Sequence, residues 1–429
     1  MQRRAFLTSS LGSYFTAAAA QQLASPNQVV QNAREAALKI LQPSPKQLEH
    51  GLELHRNSLV FESYGFMPRA AADGDQLRAL VEAGGSEAEY QDLYEELSMT
   101  RYVTNAAERQ EYLDAWRTAG VTCIMQNAGE EGSDPRRLIK RLGRYTFTTQ
   151  FLREHVSQAV EPNDIVAAKK ANRHCVYMTG NGVPVPGLWT TVEEELAYIR
   201  IFFQLGVRMM HLTYNRRNMI GDGCGEPANA GLSDFGRAVV AEMNRLGVIV
   251  DIAHSGWQTS LEAAKASKKP MVASHTTCAA LHRHIRSKPD EVIKAIVDTG
   301  GLVGICCISG FLGGAGDIST MMDHIDYVVK KYGADHVAIG TDIAYSSRNV
   351  AAEMKKVPRR ARGRMRWEAL WPPGSYGLGG DNTRSLAWTN WPLFTVGMVR
   401  RGYSDTDIQK ILGGNVLRVA RANFDGIKL

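Results

Sequence analysis

Val-Ile-Val-Asp-Ile-Ala-His (248–254), Pro-Met-Val-Ala-Ser-His (270–275) and Val-Ala-Ile-Gly-Thr-Asp (337–342) decide how this chain is read. Each is a short apolar run that ends in a polar group: His254, His275 and Asp342. Runs of this length, rich in β-branched residues, predict buried strands. If the three strands are parallel neighbours, their polar groups converge on one mouth, where a (β/α) barrel keeps its chemistry.

Working outward, eight such runs follow in order: 58–62, 121–126, 175–178, 208–212, 248–252, 271–274, 302–305 and 336–339. Amphipathic helices are predicted at 192–205, 233–246, 260–266, 289–299 and 319–332, with Ser233 as an N-cap and Gly247 just past the end of the second. Strand and helix alternating eight times specify an α/β fold, a (β/α)8 TIM barrel of the metallo-dependent hydrolase kind. No linker or low-complexity tract interrupts it, so residues 25–429 are expected to form one domain. Segment 67–120 exceeds what the barrel needs and predicts extra helices after the first strand. Segment 344–391 is a long loop after the eighth. Residues 404–424 predict a packing helix or helix pair, divided at Gly413-Gly414-Asn415.

Hydrophobic residues are 44% and charged residues 22%, ordinary for a globular enzyme. The net charge of +6 is local. Lys355, Lys356, Arg359, Arg360, Arg362, Arg364 and Arg366 crowd into one stretch, and removing those seven would leave −1. That excludes a general nucleic-acid binder and leaves loop 355–366 as a solvated surface or a gate for an anion. Arg3-Arg4-Ala-Phe-Leu7, a mildly apolar middle and Ala17–Ala20 make residues 1–24 a twin-arginine-type signal, with an ordinary N-terminal helix as the alternative. The expectation is export to the periplasm or beyond, with no integral membrane segment in the mature chain. Six cysteines, none in a Cys-x-x-Cys pair, give no disulfide framework.

Further motifs share the order of these strands: Leu-Thr-Tyr-Asn-Arg-Arg-Asn-Met-Ile-Gly-Asp-Gly-Cys (212–224), Gly-Leu-Ser-Asp-Phe-Gly (231–236), Arg-Ser-Lys-Pro-Asp (286–290) and Gly-Gly-Asn-Val-Leu-Arg-Val (413–419). As an ordered set they resemble the membrane (renal-type) dipeptidase family of the amidohydrolase superfamily. The likeness is strong over 200–342 and 404–420, and weak before 170 and over 344–390. It implies a barrel with two zinc ions at its mouth that hydrolyses a dipeptide. By this resemblance His254 and His275 hold one ion, Asp342 handles protons and Arg286 holds the substrate carboxylate. The other ion's His-x-Asp pair falls on Tyr64 and Phe66, the bridging glutamate on Thr179, and the carbonyl-assisting histidine on Tyr214.

Phe66 cannot bind a metal, Thr179 is neutral, and a tyrosine with an ordinary pKa of about 10 is a poor ligand unless ionised. The reading is therefore a divergent member with a reduced, one-zinc site of His254, His275 and Asp342, Glu62 being a further candidate donor. Three functions stay open. The first is an exported metallodipeptidase-like hydrolase of a dipeptide or similar amide. The second is a lyase, isomerase or tailoring enzyme using the same groups as acids and bases. The third is a non-catalytic binding protein. A small molecule is the expected partner, and a homodimer is left open.

Overall fold

The computed structural model describes residues 23–129, 131–359, 366–375 and 381–427. The signal motif at 3–7 and residues 360–365 of the basic loop lie outside them. Among the described residues there are ten strands: β1 (Phe61–Gly65), β2 (Cys123–Asn127), β3 (Val156–Gln158), β4 (His174–Gly180), β5 (Val207–His211), β6 (Ile249–Asp251), β7 (Val272–Cys278), β8 (Ser287–Lys288), β9 (Leu302–Ile305) and β10 (Val337–Ile339). Eight form the wall in the order β1-β2-β4-β5-β6-β7-β9-β10, every neighbour parallel. The ring is nearly closed. Where β10 returns to β1, the Asp342 amide donates to the Tyr64 carbonyl at 3.3 Å. The expected α/β barrel is therefore the architecture found. Two short strands were not expected: β3 pairs with β4, and β8 with β7.

The alternation of side chains along the strands makes two cores. Cys123, Met125, Cys175, Tyr177, Met209 and Leu302 join one buried cluster with Val416, Val419 and Ala420 of the helix Asn415–Phe424, which plugs one end of the barrel. The opposite faces, such as Ile124, Val176, Val250, Val303 and Val337, pack in the larger cluster shared with the surrounding helices. Each fully buried side chain of this size contributes about 1.5–3 kcal/mol. The plugging helix is preceded by a wide helical turn at Lys410–Gly414, kinked at Gly413. There a side chain on Gly413 would come 2.5 Å from the Leu59 carbonyl oxygen, so the turn needs a glycine to press against the chain entering β1.

The helix Asp234–Leu246 runs as expected, with Ser233 accepting the Gly236 amide and Gly247 left-handed at its end. The segment after β1 forms three helices: Gly74–Glu82, Glu87–Thr104 and Ala106–Ala119. The first strand lies three residues later than the run 58–62. Ser58 instead closes the helix Pro45–Asn57, its amide bonded to the Leu54 and His55 carbonyls. No helix among the described residues is long and apolar enough to cross a membrane.

Candidate active site

A cavity of about 360 Å³ opens on the barrel, lined by Tyr64, Phe66, Arg69, Glu131, Tyr214, His254, Asp342 and Trp371 among others. His254 lines it, and His275 lies directly behind that ring, fully buried. His254 follows β6 and His275 lies within β7, whose ladder runs past the run that marked it in the sequence. Their Nε2 atoms are 3.0 Å apart. Each ring is covered by a tyrosine: Tyr64 stacks on His275 at 3.9 Å between centroids, Tyr214 on His254 at 4.1 Å. The chain is packed tightly here. A side chain on Gly304 of β9 would approach the Ser274 carbonyl oxygen to 1.9 Å, so only glycine lets β7 carry His275 this close.

The other ring nitrogens fix the protonation of the pair. His275 Nδ1 is 2.8 Å from Ser274 Oγ, and Ser274 gives its hydroxyl hydrogen to Asp251. Asp251 is fully buried. Its Oδ1 accepts the Ala253 and Ser274 amides at 2.9 and 3.0 Å. Burial pushes its carboxyl up, but His211 and the Ser274 donors outweigh that and hold it below the usual range. Asp251 is therefore ionised and the Ser274 hydrogen points at it. The serine oxygen must then accept from His275 Nδ1–H. His254 Nδ1 faces Asn215 Oδ1 at 2.8 Å, and the same oxygen accepts from Cys224 Sγ. Both rings thus use their one hydrogen at Nδ1, and two Nε2 lone pairs face each other.

Burial lowers both imidazole pKa values well below the ordinary range, and the Arg286 charge adds to this. A proton shared between the rings is disfavoured for that reason. A divalent ion suits the donor set. Neutral imidazole nitrogens are zinc ligands, and two that share one zinc at about 2.0–2.1 Å each sit about 3 Å apart. Asp342 lines the same cavity in a left-handed conformation, with φ 58°. Burial pushes its carboxyl up to about 7, with Arg286 opposing and Glu131 assisting. That is the range a group needs to accept and return a proton near neutrality.

The remaining sequence candidates divide. Tyr64, Phe66 and Tyr214 line the cavity where the absent ligands would be. Burial, then the Asp342 charge, raises the Tyr64 phenol well above its usual value, so it stays protonated. Thr179 is buried, donates to the Gln126 carbonyl at 3.2 Å and does not line the cavity. Glu62 does not reach the cavity either. It accepts from Thr341 and from Trp388 Nε1 at 2.8 Å, and burial raises its carboxyl to about 8. Arg286 sits behind the histidines, 1% exposed. Its two terminal nitrogens donate to the Ala253 and His275 carbonyls at 2.7 and 3.1 Å. It braces the loop ends that carry both imidazoles and is not placed to meet a substrate in the cavity. Lys288 lies beside it, fully buried, donating to the Ser255 carbonyl at 2.6 Å, its pKa lowered by burial to about 7.

Sequence reasoning passed over His211, Asp251, Ser274 and Asn215. His211 ends β5, 1% exposed, its Nε2 2.6 Å from Asp251 Oδ2 in a bent contact. With Asp251 and His275 it forms the one buried group of candidate metal donors among the described residues. A polar residue inside an apolar strand run was the available signal, at Asp251 in 248–252 and at His211 in 208–212.

A nearly closed parallel barrel with paired imidazoles and an acid at its mouth defines a metallohydrolase-type architecture. The family model for membrane dipeptidase (peptidase family M19) matches residues 94–360, and the chain belongs to this family. Among curated relatives, dipeptidase verJ of Clonostachys rogersoniana is 29% identical over 231 residues, 53% of this chain and 51% of that protein. The chain thus spans about half the length of that relative. Among solved structures, an amidohydrolase from Pseudomonas aeruginosa aligns with a TM-score of 0.63 at 26% identity, covering 87% of this chain and 99% of its own. The probable dipeptidase PvdM from the same organism aligns at 0.60 and 19%, covering 88% and 98%, and shows a shared fold.

Proposed function

We propose that this chain is an exported hydrolase of dipeptide-like amides that works with a single divalent ion, zinc being the first candidate. The observation that carries this is the 3.0 Å approach of the two imidazole Nε2 atoms, with His254 on the cavity wall. His254 and His275 would hold the ion, with Asp342 as its neighbour on the same cavity rather than a ligand. A bound divalent ion supplies Lewis acidity and a more acidic water. Asp342, poised near pH 7, accepts a proton from the attacking water and returns it to the leaving amine. Tyr64 covers the His275 ring and Phe66 packs edge-on against Tyr64, so neither side chain offers a charged donor for a second ion. Arg286 holds the histidine strands from behind.

Elemental analysis and dipeptide turnover on purified protein test the reading. We expect one ion per chain, and for Asp342→Asn a rate loss of roughly 10²–10⁴-fold with the ion retained. Protein that takes up no zinc or cobalt and turns over no dipeptide after their addition refutes it. Export is tested by cell fractionation: replacing Arg3 and Arg4 with lysine should strand the protein in the cytoplasm, and unchanged location would refute the signal.

One observation favours a second reading. Turning the Asn215 amide over would place its Nδ2, which has no partner, against His254 Nδ1. His254 Nε2–H would then donate to His275, a satisfied pair that needs no ion and suits metal-free acid–base chemistry. A chain that is active without metal supports this alternative.

A further inference from the structure

We propose that Arg69 is the anion-binding residue of this cavity and seats a carboxylate of the ligand, the task that the buried and already bonded Arg286 is not placed to perform. The inference rests on the cavity being the ligand site.

Arg69 lines the cavity. Its guanidinium carbon stands 5.2 Å over the ring of Phe66. Among the described residues the side chain enters no ion pair, and its buried Nε has no hydrogen-bond partner. Of the acids lining the cavity, Asp92 and Glu95 are bonded by other arginines, and Glu131 accepts from the Asn181 amide at 3.3 Å. Glu95, which feels the Arg69 charge, is bonded by Arg141 Nε at 2.6 Å and by Arg144 Nη1 at 2.7 Å. Arg144 also binds Asp92 at 3.1 Å and Glu96 at 2.5 Å. Arg141 completes its bonds on the Gly129 carbonyl at 2.6 Å. Arg69 is thus a cation without a bonded acid, in an aromatic pocket that Glu131 and Asp342 also line. Burying a guanidinium without a counter-anion is unfavourable, and a ligand that brings one relieves it. The planar fork matches a carboxylate with two parallel hydrogen bonds.

The residue is also held ready. The Arg69 amide donates to the Tyr345 carbonyl at 2.8 Å, and the Ser347 amide donates to the Arg69 carbonyl at 2.9 Å. The loop after β1 and the loop after β10 are therefore stitched together at this position, which limits what must be ordered on binding. The replacement of an acid by Phe66 matters here. A carboxylate at that position would lie beneath the guanidinium and compete with any ligand anion. The phenyl ring supports the cation and leaves its edge free.

Calorimetry with N-acetyl-phenylalanine and its primary amide, on the full chain as purified, tests the assignment. Wild type should bind the acid roughly 10- to 100-fold more tightly than the amide, the size of a charge-assisted contact. Arg69→Met, which keeps the stem over Phe66, should erase that preference. Arg69→Lys should restore part of it as a point charge. Melting curves confirm that the variants fold. A preference that survives in Arg69→Met, or a wild type that binds neither ligand or does not prefer the acid, overturns the assignment. Turnover is not part of this readout. A chain that hydrolyses nothing yet shows the Arg69-dependent preference sinks the hydrolase reading alone.

Discussion

Ser274→Ala is the sharpest probe of the imidazole pair. Among the described residues the serine oxygen is the only acceptor given to His275 Nδ1, at 2.8 Å, and the ring is completely buried. Removing it strands a buried N–H, an arrangement that costs about 1–3 kcal/mol. The ring escapes by moving its hydrogen to Nε2, where the His254 lone pair waits 3.0 Å away. That tautomer closes the site to an ion. Binding metal then requires the unfavourable tautomer, so affinity should fall by roughly 10- to 100-fold, since about 1.4 kcal/mol is tenfold. The same range is found when second-layer partners of metal ligands are removed. Folding should suffer less, because Asp251 keeps two backbone amides and His211. The assay is competition with a chelator for cobalt, with nitrogen NMR of the histidine rings to read the tautomer directly. Unchanged affinity and an unchanged His275 tautomer in a folded variant would refute the lone-pair argument.

Other consequences can be checked alongside. Asp342 and Glu62 both carry raised values, about 7 and about 8, so the folded chain holds protons that the unfolded chain has released. Metal-free protein should therefore lose stability as pH rises from about 4 to about 8, and Glu62→Gln should flatten the upper part of that decline in urea melts. Combining Tyr64→His, Phe66→Asp and Thr179→Glu should raise the bound metal from one ion to two by elemental analysis. No gain would mean that the aromatic wall is not what removed the second ion. Gly304→Ala forces a methyl into the Ser274 carbonyl and should destabilise the chain by about 3 kcal/mol or more, read by denaturant midpoint. A neutral result would show that β7 and β9 can separate freely.

The barrel was legible because its signal is redundant. Apolar runs bounded by capped helices recur, and an error of three residues at β1 displaces nothing else. The helix Asp234–Leu246 announces both ends through Ser233 and Gly247. The strands β3 and β8 were invisible, since two or three residues carry no period. The site was half legible. His254, Asp342, Tyr64, Phe66 and Tyr214 lie at the mouth because a residue at or just past a strand's end falls there whatever the loops do. Arg286 and Glu62 were misjudged because sequence gives position along the chain, not which carbonyl or indole claims a side chain first. Arg69 carried no signal at all. Its meaning lies in the absence of a partner, and that is a property of packing.

The helix Asn415–Phe424, which plugs the barrel, belongs to the last stretch of described chain to leave the ribosome. Until Val416, Val419 and Ala420 arrive, Cys123, Tyr177 and Leu302 face an open lumen. A nascent chain therefore cannot complete its interior until this helix has been made, and the wall must wait, partly wetted, for its stopper. Removing the helix Asn415–Phe424 should leave a chain that has every catalytic group and no finished core.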